Sequence, residues 1–278
     1  MRALIRVTAW ERQSGWRRGL GALVRVGILI TFVAILIDLL GPPVGIFITA
    51  RMEGRRVPAV KVATEALADY SVADTPGTKL SYFGYEFEVP WKARFTEKKI
   101  GKTLVHLKFQ SGQNVLLIIP ANQRGLLTDI VEDQSLKMGD LRLIFGDLTN
   151  RSAYDQYGVL LNTTPQSIRA FGPRAEAVRG VTLLTIKAIA VGPGLITGSF
   201  SFAFPGKRGF QIGDPEKAGR VDLEVFDDSG HHVEILCRTD GGKGHFSQAE
   251  INRIITTLHT STASADVVAM QDSRVGPD

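Results

Sequence analysis

The chain has 278 residues, 44% of them hydrophobic and 22% charged, the balance of a sequence that folds rather than of a disordered one. Its net charge of +5 and pI near 9.4 suggest an acidic partner, but the excess is local. Residues 1–61 carry ten Arg and Lys against Glu11, Asp38 and Glu53, a net of +7, which leaves −2 for everything beyond; no nucleic-acid-binding face is expected. The single cysteine, Cys237, excludes an intramolecular disulfide and a cysteine-based zinc cluster.

The first predicted element is an apolar run within Leu23–Ala50 that also holds Arg25, Asp38 and Gly41-Pro42-Pro43. A membrane span from Val26 to Ala50 would centre Asp38 in lipid, at roughly 2.5–3.5 kcal/mol, and interrupt the helix at the prolines. A span from Leu20 to Leu40, rising about 1.5 Å per residue, covers the roughly 30 Å hydrocarbon core instead. Arg25 then snorkels to one face and Asp38 falls in the last turn at the other, so the second register is favoured. Five arginines precede Leu20 and Arg25 lies just inside the span, whereas Arg51, Arg55 and Arg56 follow at a distance. The positive-inside bias therefore puts residues 1–19 in the cytoplasm and the rest outside the inner membrane. A cleaved signal peptide is disfavoured, because Ala50 has Ile48 where a small residue is wanted and no lipobox cysteine follows.

Residues 41–77 read as an interfacial segment and linker, and 78–260 as an extracytoplasmic domain. "YFGYEFEVP" alternates, with Tyr85, Phe87 and Val89 on one side of a strand ended by Pro90. "TLVHLKFQSGQNVLLIIP" reads as a hairpin turning at Ser111–Asn114. The period then lengthens to three or four: "LLTDIVED", "SAYDQYGVLLNTT" and "TPQSIRAFG" are expected helices, the last with Thr164 as N-cap and Pro165 at the first helical position. Strands are expected again at "VTLLTIKAIAV", "ITGSFSFAFP", "RVDLEVF" and "HHVEILC". Ser247 and Glu250 predict a capping box for "QAEINRIITTLHT", with Ile251, Ile254, Ile255 and Leu258 as its apolar stripe, and 261–278 reads as a disordered tail. This order is that of an α+β fold, an antiparallel sheet packed on helices, with one N-terminal transmembrane helix.

"YFGYEFEVPWK", the antiparallel meander and the apolar helix after "HFSQAE" resemble the PsbP-like fold, a family of photosystem extrinsic subunits and bacterial envelope proteins. The resemblance rests on Tyr82–Trp91 and Gly244–Leu258. It implies a non-enzymatic accessory or binding domain with no catalytic residues.

Chemical motifs are sparse. "TEKKIGKT" lacks the first glycine of a phosphate cradle and the strand that should precede it, and "GGKGH" lacks dinucleotide spacing, so no nucleotide is expected. Cys237 shares strand parity with Val233 and Ile235 and belongs to the core. The constellation that remains is on "VDLEVFDDSGHHVEIL". If Asp228-Ser229-Gly230 forms the loop with Gly230 left-handed, Val225 faces Val233 and Leu223 faces Ile235. Glu224 then stands opposite Glu234 with His232 beside them. Opposed carboxylates repel and, with an imidazole, suit a divalent cation; the competing expectation is a solvated face. The sequence thus suggests a membrane-anchored envelope protein that binds a partner, without cofactor or catalytic residues. The alternative is a metal-dependent enzyme using Glu224, Glu234 and His232.

Overall fold

The computed structural model describes residues 47–52, 54, 57–75, 77–92, 94–120, 142, 144–168, 174–190, 197–240 and 245–261. The span Leu20–Leu40, "LLTDIVED", "GGKGH" up to Gly244 and the tail from 262 lie outside these residues. Among the described residues no helix is long and apolar enough to cross a membrane. The fold is α+β, with two compact units: residues 1–63 with 160–192, and residues 64–159 with 193–278.

The larger unit is built on an eight-stranded sheet. Its strands are β1 (Glu65–Ala66), β4 (Phe95–Ile100), β5 (Leu104–Phe109), β6 (Gln113–Ile118), β7 (Ser199–Phe204), β8 (Lys207–Ile212), β9 (Arg220–Asp227) and β10 (His232–Thr239), in the order β1-β7-β8-β9-β10-β6-β5-β4. The sheet is mixed rather than antiparallel, because β1 joins β7 in parallel. A second sheet of β2 (Thr78–Tyr82), β3 (Tyr85–Val89) and β11 (His259–Thr260) has the order β11-β3-β2.

Turn chemistry sets the registers. "YFGYEFEVP" is a hairpin and not one strand: Phe83 and Gly84, with φ of 55° and 82°, make the two-residue turn between β2 and β3. Tyr85, Phe87 and Val89 nevertheless share the inward face, as the alternation requires. Gly112 (φ 96°) closes the β5–β6 turn, so Gln113 and Asn114 already belong to β6. Within "TEKKIGKT", Thr96–Ile100 lies in β4 and Gly101 opens the turn to β5.

One face of the large sheet meets the small sheet and the helix Gln248–Thr257, designated α3, in a continuous core. The helix starts with the expected capping box, Glu250 N–H donating to Ser247 Oγ and Ser247 N–H to a Glu250 carboxyl oxygen. Ile251, Ile254, Ile255 and Leu258 are all buried in that core. Trp91 packs edge-on to Phe109 at 5.3 Å and donates its indole N–H to Glu250. Of the stretch read as linker, residues 64–73 are fastened to this unit. Asn252 Nδ2 donates to the Asp69 and Ser71 carbonyls, and Ala73 N–H donates to the Ala249 carbonyl. These bonds use backbone groups that hydropathy does not register.

Cys237 faces the same core and is 0% exposed, and burial pushes its thiol pKa upward. We expect a maleimide or disulfide reagent to label it only at the rate of unfolding. Rapid labelling under native conditions would show that β10 is not packed as described.

In the smaller unit the chain departs from expectation. Of "VTLLTIKAIAV", Val181–Ala190 is not a strand: it is the second half of α2 (Arg174–Ala190), and Val191 lies outside the described residues. Ala177, Val181 and Leu184 are buried at helical spacing against Ala50, Val60 and Ile168. Thr182 and Thr185 donate their hydroxyls to the carbonyls of Val178 and Val181, four residues back. The cost of β-branched residues in a helix, a few tenths of a kcal/mol each, is small beside this burial. "TPQSIRAFG" does not begin a helix at Pro165. Ser167 donates its N–H and hydroxyl to the Thr164 carbonyl and closes a local turn.

Candidate functional site

The β9–β10 hairpin has the register that its turn dictates. Gly230 has φ of 86°, Gly230 N–H donates to the Asp227 carbonyl, and Asp227 N–H donates to the His231 carbonyl. Val225 faces Val233, Leu223 faces Ile235, and Glu224 stands directly opposite Glu234. His232 Nε2 lies 2.6 Å from Glu224 Oε2, so the imidazole and one carboxylate share a hydrogen bond.

This group is not a solvated face. Glu224 and His232 are each 6% exposed, because aromatic rings cover them. The His232 ring stacks on Phe226, its cross-strand partner, at 4.4 Å and 6°. Tyr157, on the helix α1 (Ala153–Asn162), packs edge-on to both rings. Tyr154, one turn earlier on α1, stacks on Phe210 of β8 at 5.0 Å. Strand alternation correctly sets Glu224, His232 and Glu234 on the non-core side of β9 and β10. Nothing local shows that α1, some seventy residues earlier, supplies the aromatic rings that cover this side.

Two further charges belong to this face. Arg220 Nε donates to both carboxyl oxygens of Asp222 at 2.8 Å, and Asp222 is buried. Glu234 is the member left partly exposed. Burial, the facing Glu224 and the nearby Asp222 push its carboxyl from 4.5 up to about 8, against the opposing pull of Arg220 and Arg238. The shift favours the protonated form of Glu234, which lessens the like-charge repulsion with Glu224. Among the described residues no group of three or more His, Cys, Asp and Glu side chains is placed to hold a metal ion.

The hairpin tip carries a second polar group. Ser229 Oγ lies 2.7 Å from His231 Nδ1 and donates to Asp227 Oδ1 at 2.6 Å. Asp227 Oδ2 lies 3.2 Å from the same Nδ1. A serine triad needs the hydroxyl and the carboxylate on opposite ring nitrogens. Here both address Nδ1, so the three residues brace the turn.

Beside the tip is a cleft of about 390 Å³. Val225, Val233 and Leu258 supply its apolar wall; Tyr85, Lys207, Asp227, Asp228 and His231 bring polar groups to it. Sequence reading missed it because its parts come from β3, β8, the β9–β10 turn and the segment after α3. A signal for β8 was present, since Pro205-Gly206 is a turn dipeptide between two alternating runs.

Comparison of the chain with family models, curated proteins and solved structures finds no match.

Proposed function

We propose that the chain is a single-pass membrane protein, anchored by Leu20–Leu40, whose extracytoplasmic α+β domain binds a partner in the cell envelope and performs no catalysis of its own. The observation that carries this reading is the cleft beside the β9–β10 tip. It combines an apolar wall with several convergent polar groups, the make-up of a binding site. The anchor rests on the apolar run and its flanking arginines, and the resemblance to the PsbP-like fold points the same way. A photo-crosslinking residue at Asp228, at the cleft, is expected to capture the partner in intact membranes. The same residue at Lys102, in the β4–β5 turn, is expected not to. Equal capture at both positions, or none at either, would sink the proposal. A periplasm-active reporter fused after Asp278 should be active; an inactive fusion would reverse the orientation.

A second reading is favoured by the raised carboxyl of Glu234 facing Glu224. A divalent cation could displace the proton that relieves this pair, making the group the centre of a metal-dependent enzyme. Calorimetric titration of the full-length chain with zinc, calcium and manganese tests it. Binding at micromolar metal that Glu234→Gln abolishes would support it, and absence of binding would end it.

A further inference from the structure

We infer that the cleft takes a small dipolar ligand, an ammonium and a carboxylate carried on an apolar body, as in a free amino acid or a short peptide. This rests on the cleft being the binding site and goes on to name the chemistry that fits it. The volume of about 390 Å³ is near the small end of ligand pockets, roughly 300–1,000 Å³, and suits a molecule of this size.

The distribution of charge carries the argument. Lys207 and Asp227 face each other directly across β8 and β9, where opposite charges ordinarily pair. They do not pair here. The Lys207 ammonium is drawn 2.7 Å from the Thr256 carbonyl at the end of α3, while Asp227 is held by Ser229 and His231. Asp228, the next residue, has no hydrogen-bond or ion-pair partner among the described residues. Charges of both signs therefore border one cavity without neutralising each other.

A simple cation entering the cleft would face Lys207, and a simple anion would face two carboxylates. A ligand with both signs satisfies each side. Its ammonium is matched by Asp228, with the acidic Asp227 beside it. Its carboxylate is matched by Lys207, which has donors beyond the one given to Thr256. Val225, Val233 and Leu258 remain for the apolar body.

The test is calorimetry on the full-length chain in mild detergent with four probes: leucine, leucinamide, N-acetyl-leucine and dileucine. Leucine or dileucine is expected to bind with a Kd of about 1 mM or tighter, and blocking either terminus of leucine should weaken binding about tenfold or more. Asp228→Asn, in an exposed turn, should abolish discrimination against N-acetyl-leucine, and Lys207→Gln should abolish discrimination against leucinamide. Dileucine binding more tightly than leucine would assign the site to peptides, and the reverse to free amino acids. Failure of all four probes to bind, or equal binding of the blocked forms, would overturn the inference. Capture of a partner at Asp228 would still stand in that case, so failure of the ligand class is separable from failure of the binding role.

Discussion

Replacing Lys187 by methionine is expected to destabilise the smaller unit by about 3 kcal/mol. Lys187 lies on α2, is 1% exposed, and directs its ammonium to the carbonyls of Val62 (2.6 Å), Leu161 (2.5 Å) and Thr163 (3.0 Å). Leu161 lies in the last turn of α1 and Thr163 follows directly after its end, where carbonyls lack helical donors and a positive charge is favoured. Methionine fills the same space and removes a buried charge, which is favourable. It also withdraws the donor from three acceptors, at about 1–3 kcal/mol for each left unsatisfied, and the second effect is larger. Hydrogen exchange of α2 amides would read the loss directly, and unchanged protection would refute the clamp. A pH signature accompanies it. Burial pushes the Lys187 ammonium from 10.5 down to about 8, so between those values the unfolded chain binds more protons than the folded one. The Lys187 contribution therefore makes stability rise with pH across that window, and Lys187→Met should remove the rise.

Glu234→Gln is expected to stabilise the larger unit by about 1–2 kcal/mol above pH 8, a fraction of the full linkage value because Glu234 is partly exposed. The carboxyl is raised from 4.5 to about 8 by burial and by Glu224 and Asp222, so the folded chain retains a proton that the unfolded chain releases. Its contribution is complete below pH 4.5 and is lost as pH rises through about 8. Glutamine keeps the shape of the protonated side chain and cannot ionise. The difference in denaturant midpoint between parent and variant should be small near pH 4.5 and widen toward pH 9. A difference that does not vary with pH would show that Glu234 does not hold this proton.

Features set by neighbours in the chain were legible without coordinates. The capping box of Ser247 and Glu250, the core stripe of α3, the burial of Cys237 and the facing of Glu224 and Glu234 each follow from a local rule. Helix caps, helical spacing, strand parity and turn length all act within a few residues, so a sequence displays them. "VTLLTIKAIAV" was misread because β-branched residues favour strands only when a sheet edge is available to them. Here the run continues the helix-forming Ala175-Glu176-Ala177, and its apolar residues find a core at helical spacing.

Within the described residues, then, the sequence by itself determined the type of most elements and the register of the β9–β10 hairpin, because these depend on short-range sterics and periodicity. Tertiary structure alone decided the burial of Glu224 and His232, the upward shift of the Glu234 carboxyl, the capture of Lys187 by three carbonyls and the existence of the cleft. Burial and electrostatic shift depend on which distant residues close over a group. The aromatic rings of α1 and the carbonyls at its end reach these side chains only once the chain has folded.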